Sequence, residues 1–416
     1  MSLPGLRRRA VALNELPALG LLTLAGMLRE TWECSYHEIK GDLAATVETV
    51  ANAQPQLVAL SALTASVMDA YELAGAFKQR GIPTVLGGLH ATTCAAEAAM
   101  HCDAVVVGEG EPVWQQILED VERGQLQARY QAAKPFDLAD SPLPRFDLLG
   151  TQKRPRSTLQ TERGCPFACD FCGASRLLGP FREKPIENIR AELVAIQNVD
   201  ANPWIELADD NTFAGARDKV ELLDALAGAN ARYFTEADWR VGEQPEVLQS
   251  LARSGCVQLL VGIESMVFRY PGMGAKQSDM NRIMKAIDAI QEAGVVANGC
   301  FILGADGETK ESMQRMAQFI LDSPLAEVQL TLQTPFPGTQ LYQRLSQQGR
   351  LLRDRNWSSY TLFDVVYQPD SMTVSELEQG FRDSLASVFS NEESSRRERL
   401  RRNIWKSNPC FGRLSV

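Results

Sequence analysis

The sequence predicts an α/β protein in which a doubly wound parallel sheet is followed by a partial barrel of parallel strands and helices. Two observations lead to this fold class. Short runs of β-branched residues alternate with helical segments along most of the 416 residues. A proline-rich segment then divides these units into two series. The composition, with 45% hydrophobic and 23% charged residues, is that of a globular protein with two or three domains.

The first series, over residues 1–135, predicts the doubly wound domain. A helix is predicted over 68–80 and ends at Gly81. Strands are predicted at 56–62, 82–88 and 103–111. In a fold of this kind, ligands bind beyond the carboxyl ends of the strands.

Residues 136–156 are predicted to be a linker, because 134–156 contains four prolines and no clear periodicity. The second series, over 157–345, begins with a strand and has a helix from Pro185 whose apolar face carries Ile186, Ile189, Leu193 and Ile196. Six strands are predicted, at 157–161, 204–210, 233–239, 257–265, 297–305 and 328–336. Six strands fall short of a complete eight-stranded barrel. Residues 346–416 are predicted to form an α-rich C-terminal extension that covers the substrate side.

Charge and hydropathy exclude some classes of function. The net charge of −10 disfavours nucleic acid as the main substrate. No apolar run approaches the length of a membrane span. The N-terminal stretch MSLPGLRRRAVALNELP is a poor secretion signal, so we expect a cytoplasmic protein.

Three of the nine cysteines, Cys165, Cys169 and Cys172, lie within eight positions in a C-x3-C-x2-C pattern. Structural zinc usually takes four ligands in two spaced pairs, and the three histidines all lie in the other half of the chain. Three thiolates on one loop suit a cubane iron–sulfur cluster with one iron that has no protein ligand. A degenerate zinc site, a redox pair and coincidence remain as alternatives. The six scattered cysteines are expected to be structural.

The stretch GCPFACDFC, with Phe171 just before the third cysteine, resembles the signature of the radical S-adenosylmethionine (radical SAM) superfamily. The resemblance implies a partial (β/α)6 barrel and a [4Fe-4S] cluster. It also implies that S-adenosylmethionine is cleaved to a 5′-deoxyadenosyl radical, which abstracts a hydrogen atom from the substrate. An external one-electron reductant, such as flavodoxin or ferredoxin, would then be a partner.

The resemblance extends to the segments that follow the predicted strands. It implies that ELADDNTF binds the methionine amino group, that TEADWR binds other polar groups, that VGIES lies near the ribose and that CFILGADGET lies beside the adenine. A departure is Cys300, where the family has glycine. The alternatives are that the two aspartates cap a helix and that Glu236 and Arg240 lie on the surface. The implied SAM-binding residues are Phe171, Asp209, Asp210, Asn211, Glu236, Arg240, Glu264, Ile302 and Gly304.

General physical arguments support these roles. Each polar group follows a predicted strand, where barrel active sites are built. A zwitterionic methionine moiety also needs a carboxylate for its ammonium and an arginine for its carboxylate.

The order of doubly wound domain, linker and barrel resembles the cobalamin-binding group of radical SAM enzymes, which includes hopanoid and bacteriochlorophyll C-methylases and ring-forming relatives. The resemblance implies a Rossmann-like, cobalamin-binding front domain. Its first strand would be reduced or missing, because only RRRAVALNE precedes Pro17. The D-x-H-x-x-G motif is absent, and the glycines also suit ordinary strand-to-helix turns. The implied cobalamin-binding residues are Ser61, Thr64, Gly87, Gly88, His90, Gly108, Glu109 and Gly110.

We therefore expect cobalamin-dependent C-methylation of an unactivated carbon in a small molecule. The stretch 356–372 resembles extensions in the hopanoid and chlorophyll methylase branch, which implies an apolar or polycyclic substrate. Its aromatic residues also suit packing against the barrel. One alternative is a radical SAM rearrangement, cyclisation or dehydrogenation in which the front domain binds no cobalamin. A non-catalytic iron–sulfur scaffold is another.

Overall fold

The computed structural model describes residues 17–39, 41–150, 156–173, 177–276, 279–352 and 356–410. It contains a four-stranded and a six-stranded parallel sheet, each with helices packed against it. The stretch before Pro17, where the reduced first strand is predicted, lies outside the described residues. Within those ranges, the chain has no helix that combines the length and apolar character of a membrane span.

The front sheet consists of parallel strands that lie side by side in chain order: β1 (Val58–Ser61), β2 (Thr84–Gly87), β3 (Ala104–Val107) and β4 (Arg129–Gln131). The three predicted strands are confirmed, and the short β4 is an addition. The helices of this unit are α1 (Leu19–Ala25), α2 (Leu43–Asn52), α3 (Val67–Lys78), α4 (Leu89–Thr93), α5 (Ala95–Ala98) and α6 (Glu111–Glu122).

Side chains of β3 alternate between two apolar clusters, as the pleat of a strand dictates. Val105 and Val107 pack with α3 and α4, whereas Ala104 and Val106 pack with α6. Both faces of the sheet are therefore covered by helices, and the doubly wound fold is confirmed.

The segment predicted to be a linker is packed along much of its length. Phe146 and Leu149 are buried in the same core cluster as the barrel strands, together with Leu22 of α1. The backbone N–H of Arg145 donates a hydrogen bond to the carbonyl of Leu22 (3.0 Å). This connection thus holds the two units against each other.

The six predicted barrel strands all belong to one parallel sheet, so the partial barrel is confirmed. The strands are β5 (Ser157–Leu159), β8 (Trp204–Leu207), β9 (Arg232–Ala237), β10 (Cys256–Glu264), β11 (Val296–Leu303) and β12 (Glu327–Leu332), in that spatial order. A small antiparallel pair, β6 (Glu162–Arg163) and β7 (Arg182–Glu183), flanks the cysteine loop. The helices are α7 (Ile186–Val199), α8 (Lys219–Gly228), α9 (Pro245–Arg253), α10 (Met280–Glu292), α11 (Lys310–Asp322) and α12 (Gln340–Gln347).

The C-terminal extension contains α13 (Val374–Val388) and α14 (Asn391–Ser407). Helix α14 lies at the amino ends of the strands, because Arg401 pairs with Glu327 at the start of β12 (2.7 Å) and Trp405 donates to the carbonyl of Val257 at the start of β10 (3.0 Å). Active sites of such barrels form at the opposite end. Helix α14 therefore does not cover the substrate side. Of the extension, Leu362 lies at the cavity at the carboxyl ends of the strands.

Candidate active site

The cysteine loop is fixed by backbone contacts with the segment that follows β10. Ala168 N–H donates to the carbonyl of Gly272 (3.2 Å) and Asp170 N–H donates to that of Pro271 (3.0 Å). Gly272 has φ +84°, and a Cβ placed on it would lie 1.9 Å from the carbonyl oxygen of Ala168. The close approach of these two loops thus requires glycine at this position.

The structure brings the three thiols of this loop into one largely apolar environment. Phe167, Phe171, Tyr270 and Met273 surround Cys169, which is buried, while Cys165 and Cys172 are half-buried. Burial raises the pKa of Cys165 and of Cys169 to about 11, although the nearby charge of Lys276 opposes the shift. All three cysteines are free of disulfides. Three sulfur donors in an apolar shell, beside a positive charge, fit an iron–sulfur cluster.

A cavity of about 270 Å³ lies beside this loop at the carboxyl ends of the strands. Its wall changes in character around the sheet. Acidic and amide side chains come from the ends of β8, β9 and β10, while the β11–β12 side adds apolar groups such as Ile302 and Leu332. Leu362 of the C-terminal extension completes the apolar side. One cavity therefore combines a polar region with an apolar one.

Six of the nine predicted SAM-binding residues line this cavity: Phe171, Asp210, Asn211, Glu236, Glu264 and Ile302. Burial and the charge of Asp209 raise the pKa of Asp210 to about 7. Burial, with the neighbouring carboxylates of Asp210, Glu206 and Glu264, raises that of Glu236 to about 8. Because these carboxyls repel one another, the polar region favours a ligand that carries a positive charge.

Asp209 lies outside the cavity lining and has a different role. Its buried carboxylate accepts hydrogen bonds from Thr161 N–H (2.7 Å), Thr161 Oγ1 (2.6 Å), Glu162 N–H (3.2 Å) and Thr212 Oγ1 (3.1 Å). The bonds from Thr161 and Glu162 fix the chain that connects β5 to the cysteine loop against the segment after β8. The alternative that Asp209 and Asp210 cap a helix is wrong, because α8 begins at Lys219 and is capped by Asp218.

Arg240 and Gly304 also lie outside the lining. The Arg240 guanidinium donates to both oxygens of Asp238 (2.8 and 2.7 Å) and lies over the ring of Phe167. The guanidinium group of Arg240 is therefore directed at Asp238, beside the cysteine loop. Gly304 has φ +93° and its carbonyl accepts the hydroxyl of Tyr367, so the glycine serves a close backbone approach.

Lys276 is the main residue that sequence reasoning missed. It lines the cavity beside Glu264, and its charge acts on Cys165 and Cys169. Burial disfavours the charged amine, but Glu264 and the two thiols outweigh that effect and raise the pKa of Lys276. The segment after β10 has no periodic pattern, so no signal in the sequence placed a lysine here.

The predicted cobalamin-binding residues fall into two groups. Gly88 (φ +99°) and Gly108 (φ +84°) are exposed at the carboxyl ends of β2 and β3, and no atom lies within 4 Å of a Cβ placed on Gly108. Ser61 and Gly87 lie at the same edge, where they end β1 and β2. This edge without bulky side chains fits the approach of a large flat ligand to the backbone.

The other group is engaged in packing. Glu109 accepts hydrogen bonds from Arg163 (2.6 Å) and Arg182 (3.0 Å), and Arg163 also pairs with Glu111 (2.8 Å). Gly110 faces Leu24. The remaining two, Thr64 and His90, contact each other (Oγ1 to Nδ1, 3.3 Å). The Glu109 ion pairs tie the loop after β3 to the chain just before Cys165.

Comparison with known families gives two matches in the same order as the two units. Residues 8–118 match the B12 binding domain, and residues 159–320 match the radical SAM superfamily. Among curated proteins, the chain is 26% identical over 336 residues to a bacteriochlorophyllide d C-12(1)-methyltransferase of Chlorobaculum tepidum, over 78% of this chain and 73% of that protein. It is 26% identical to the hopanoid C-2 methylase of Rhodopseudomonas palustris, over 83% of this chain and 67% of that protein.

More distant matches include the anaerobic magnesium-protoporphyrin IX monomethyl ester cyclase of Cereibacter sphaeroides, at 24% identity over 88% of this chain and 65% of that protein. Among solved structures, the fold is similar to the cobalamin-dependent S-adenosylmethionine radical enzyme OxsB with aqua-cobalamin bound. That match has a TM-score of 0.72 at 13% identity and covers 94% of this chain and 70% of OxsB.

Proposed function

The chain belongs to the radical SAM superfamily and carries a B12-binding domain ahead of the radical SAM domain, and from that premise we propose that it is a cobalamin-dependent methyltransferase acting on an unactivated carbon. One observation carries the proposal. The glycine edge of the front sheet and the cysteine loop of the barrel are joined by the ion pairs of Glu109 and Arg163, only two residues before Cys165. The two expected cofactors would therefore be held close to each other.

In this proposal, Cys165, Cys169 and Cys172 hold a [4Fe-4S] cluster, and the cavity beside them holds S-adenosylmethionine. Cobalamin binds at the glycine edge of the front domain. When bound, these groups supply one-electron reduction, hydrogen abstraction and a transferable methyl group.

The chain's own residues bind and orient the ligands. Asp210 and Glu236 attract the ammonium of S-adenosylmethionine, which favours their charged forms at neutral pH. Phe171 packs on Tyr270 (4.5 Å between ring centroids), and this contact excludes water beside the third cysteine. Burial raises the pKa of Glu264, and the positive charge of Lys276 in the cavity opposes that shift.

Ile302, Leu332 and Leu362 give part of the cavity lining apolar character, next to polar side chains of β12 and the residues after it. An apolar or polycyclic substrate is consistent with the substrates named for the hopanoid and bacteriochlorophyllide enzymes. A small external electron donor, of the flavodoxin or ferredoxin type, would reduce the cluster.

The proposal is tested with protein that is purified and reconstituted without oxygen. Iron and cobalt are counted together per chain, and the reduced protein is incubated with S-adenosylmethionine and apolar polycyclic substrates. We expect both metals, 5′-deoxyadenosine and a product heavier by one methylene unit. Absence of both the corrin and the methylated product would rule the proposal out.

A second candidate is a ring-forming or dehydrogenating reaction, which the match to the protoporphyrin ester cyclase favours. This reaction yields 5′-deoxyadenosine and a product with fewer hydrogens and no added carbon. Mass spectrometry of the product therefore separates the two candidates.

A further inference from the structure

Outside the cavity, three side chains with metal-ligating atoms converge on the front domain. His90, Cys94 and Glu97 lie along α4 and α5 in an H-x3-C-x2-E pattern. Spacings of four and three residues place side chains on the same helix face. One ligand atom from each residue lies within 4.8 Å of those of the other two.

One unpartnered polar atom points to a missing ligand at this position. His90 is 1% exposed, and its Nε2 makes no hydrogen bond within the described part of the chain. Its other nitrogen, Nδ1, lies 3.3 Å from Thr64 Oγ1, in the arrangement by which a second partner orients a metal-bound histidine. Leaving a buried nitrogen unsatisfied costs about 1–3 kcal/mol. The hydroxyl of Tyr71 lies near Cys94 and Glu97.

We propose that His90 Nε2, Cys94 Sγ and a Glu97 carboxylate oxygen bind a divalent cation of the zinc class. Nitrogen, sulfur and oxygen donors together suit zinc better than calcium or magnesium, which prefer oxygen alone. Tetrahedral coordination with ordinary zinc bond lengths separates the donors by about 3.3–3.8 Å. The side chains thus need to approach one another by at most about 1.5 Å, and the fourth position is left to solvent or to the Tyr71 hydroxyl.

The surroundings indicate a role in joining the front domain to the C-terminal extension. Trp357 Nε1 donates to Glu97 Oε1 (2.7 Å), and the Trp357 ring meets the ring of His90 edge-on (5.0 Å between centroids). A metal ion at this site would fix Glu97 and His90 together beneath Trp357. The site is separate from the three cluster cysteines. His90 is among the residues predicted to bind cobalamin, but it is buried and would hold the cation instead, so the inference goes beyond the proposed methyl transfer.

The test uses the full chain with its cluster reconstituted, so that Cys165, Cys169 and Cys172 are already occupied. Zinc binding is measured by equilibrium dialysis with metal analysis, and the ligands are identified by X-ray absorption at the zinc edge. We expect one zinc per chain with a single sulfur ligand. Cys94→Ser and Glu97→Gln should each weaken binding by at least about tenfold, since even outer partners of metal ligands contribute 10–100-fold.

Cys34→Ser is the matched control, because this half-buried cysteine belongs to the same domain and lies outside the cluster of donors. It should bind zinc as the unaltered chain does. Iron content and circular dichroism confirm that each variant is folded. Zinc binding that is absent, that survives both changes, or that involves several sulfurs would overturn the proposal, whether or not the protein methylates a substrate.

Discussion

Replacing Glu109 by glutamine should loosen the front domain from the barrel. The Glu109 carboxylate accepts hydrogen bonds from Arg163 (2.6 Å), Arg182 (3.0 Å) and the backbone N–H of Phe136 (2.7 Å). The Glu109 and Arg163 side chains are each only 13% exposed, so solvent screens their pair weakly. These contacts link four segments: the loop after β3, the chain before Cys165, β7 and the start of the connection between the units.

The magnitude follows from the acceptor that glutamine lacks. One side-chain oxygen is replaced by an amide NH2 group, which cannot accept from an arginine, so at least one of the two arginine contacts is lost. A hydrogen bond to a charged group contributes about 1.5–3 kcal/mol, which gives a loss of about 2 kcal/mol. The loss is moderated because Arg163 keeps its pair with Glu111 and Arg182 keeps its hydrogen bonds to the carbonyls of Phe136 and Leu178. An opening equilibrium that shifts by about 2 kcal/mol changes about thirtyfold.

Hydrogen exchange measured by mass spectrometry on the peptide 134–140 reads this opening directly, because the Phe136 N–H is one of the donors. We expect exchange there to accelerate about thirtyfold in Glu109→Gln. Glu119→Gln is the matched control, since Glu119 forms an ion pair with Arg29 at an exposed position (38% exposed) and such pairs contribute about 0–1 kcal/mol. Exchange in 134–140 that changes less than about threefold in Glu109→Gln would refute the reasoning.

The Glu109 carboxylate also makes the protection of residues 134–140 from hydrogen exchange depend on pH. Burial acts to raise the pKa of Glu109, but Arg182, the Phe136 N–H and Arg163 outweigh it and lower the pKa. A carboxyl whose pKa is lowered by folding stabilises the protein above its unfolded-state pKa, and this contribution disappears as the pH falls through the folded-state pKa. Protection of 134–140 should therefore decline with acid in the unaltered chain and less steeply in Glu109→Gln.

Two further predictions concern the cluster loop and the cavity. Gly272→Ala should lower the iron content after reconstitution although the cysteines are intact, because its Cβ would collide with the Ala168 carbonyl. Gly307→Ala is the control, because Gly307 also has a positive φ (+80°) but open space around its Cβ. Equal iron in both variants would contradict the role of the loop contact. The pKa of Glu236, about 8, predicts that affinity for S-adenosylmethionine rises as the pH increases toward about 8, because the ammonium favours the ionised carboxylate. Calorimetric titration should show a flatter pH profile for Glu236→Gln, and identical profiles would remove Glu236 from the binding site.

Much of the architecture could be predicted from the sequence because parallel strands that are covered on both faces form nearly continuous apolar runs. Strands β3 (AVVV) and β11 (VANGCFIL) are of this kind. Other barrel strands, such as β9 (RYFTEA), alternate buried and less buried residues. The three-residue β4 was not predicted, since ARYQ has no apolar run and Tyr130 alone is buried there.

The cavity lining could be predicted where residues lie at the carboxyl end of a strand, as Asp210 does after β8 and Glu236 does near the end of β9. The lining was less predictable where groups outside the cavity form hydrogen bonds with the side chain. Asp209 is adjacent to Asp210, yet its carboxylate accepts three hydrogen bonds from Thr161 and Glu162, between β5 and the cysteine loop, and one from Thr212, and it lies outside the cavity lining. Lys276 reaches the cavity through a loop whose course is set by tertiary contacts.

The most direct test of the central claim compares the unaltered chain with a variant in which Cys165, Cys169 and Cys172 are all serine. After anaerobic reconstitution, the unaltered chain should hold about four iron atoms and convert S-adenosylmethionine to 5′-deoxyadenosine when reduced, while the variant should do neither. A control with Cys34 and Cys410 changed to serine should behave as the unaltered chain does. Iron and 5′-deoxyadenosine formation that persist in the triple variant would contradict the account.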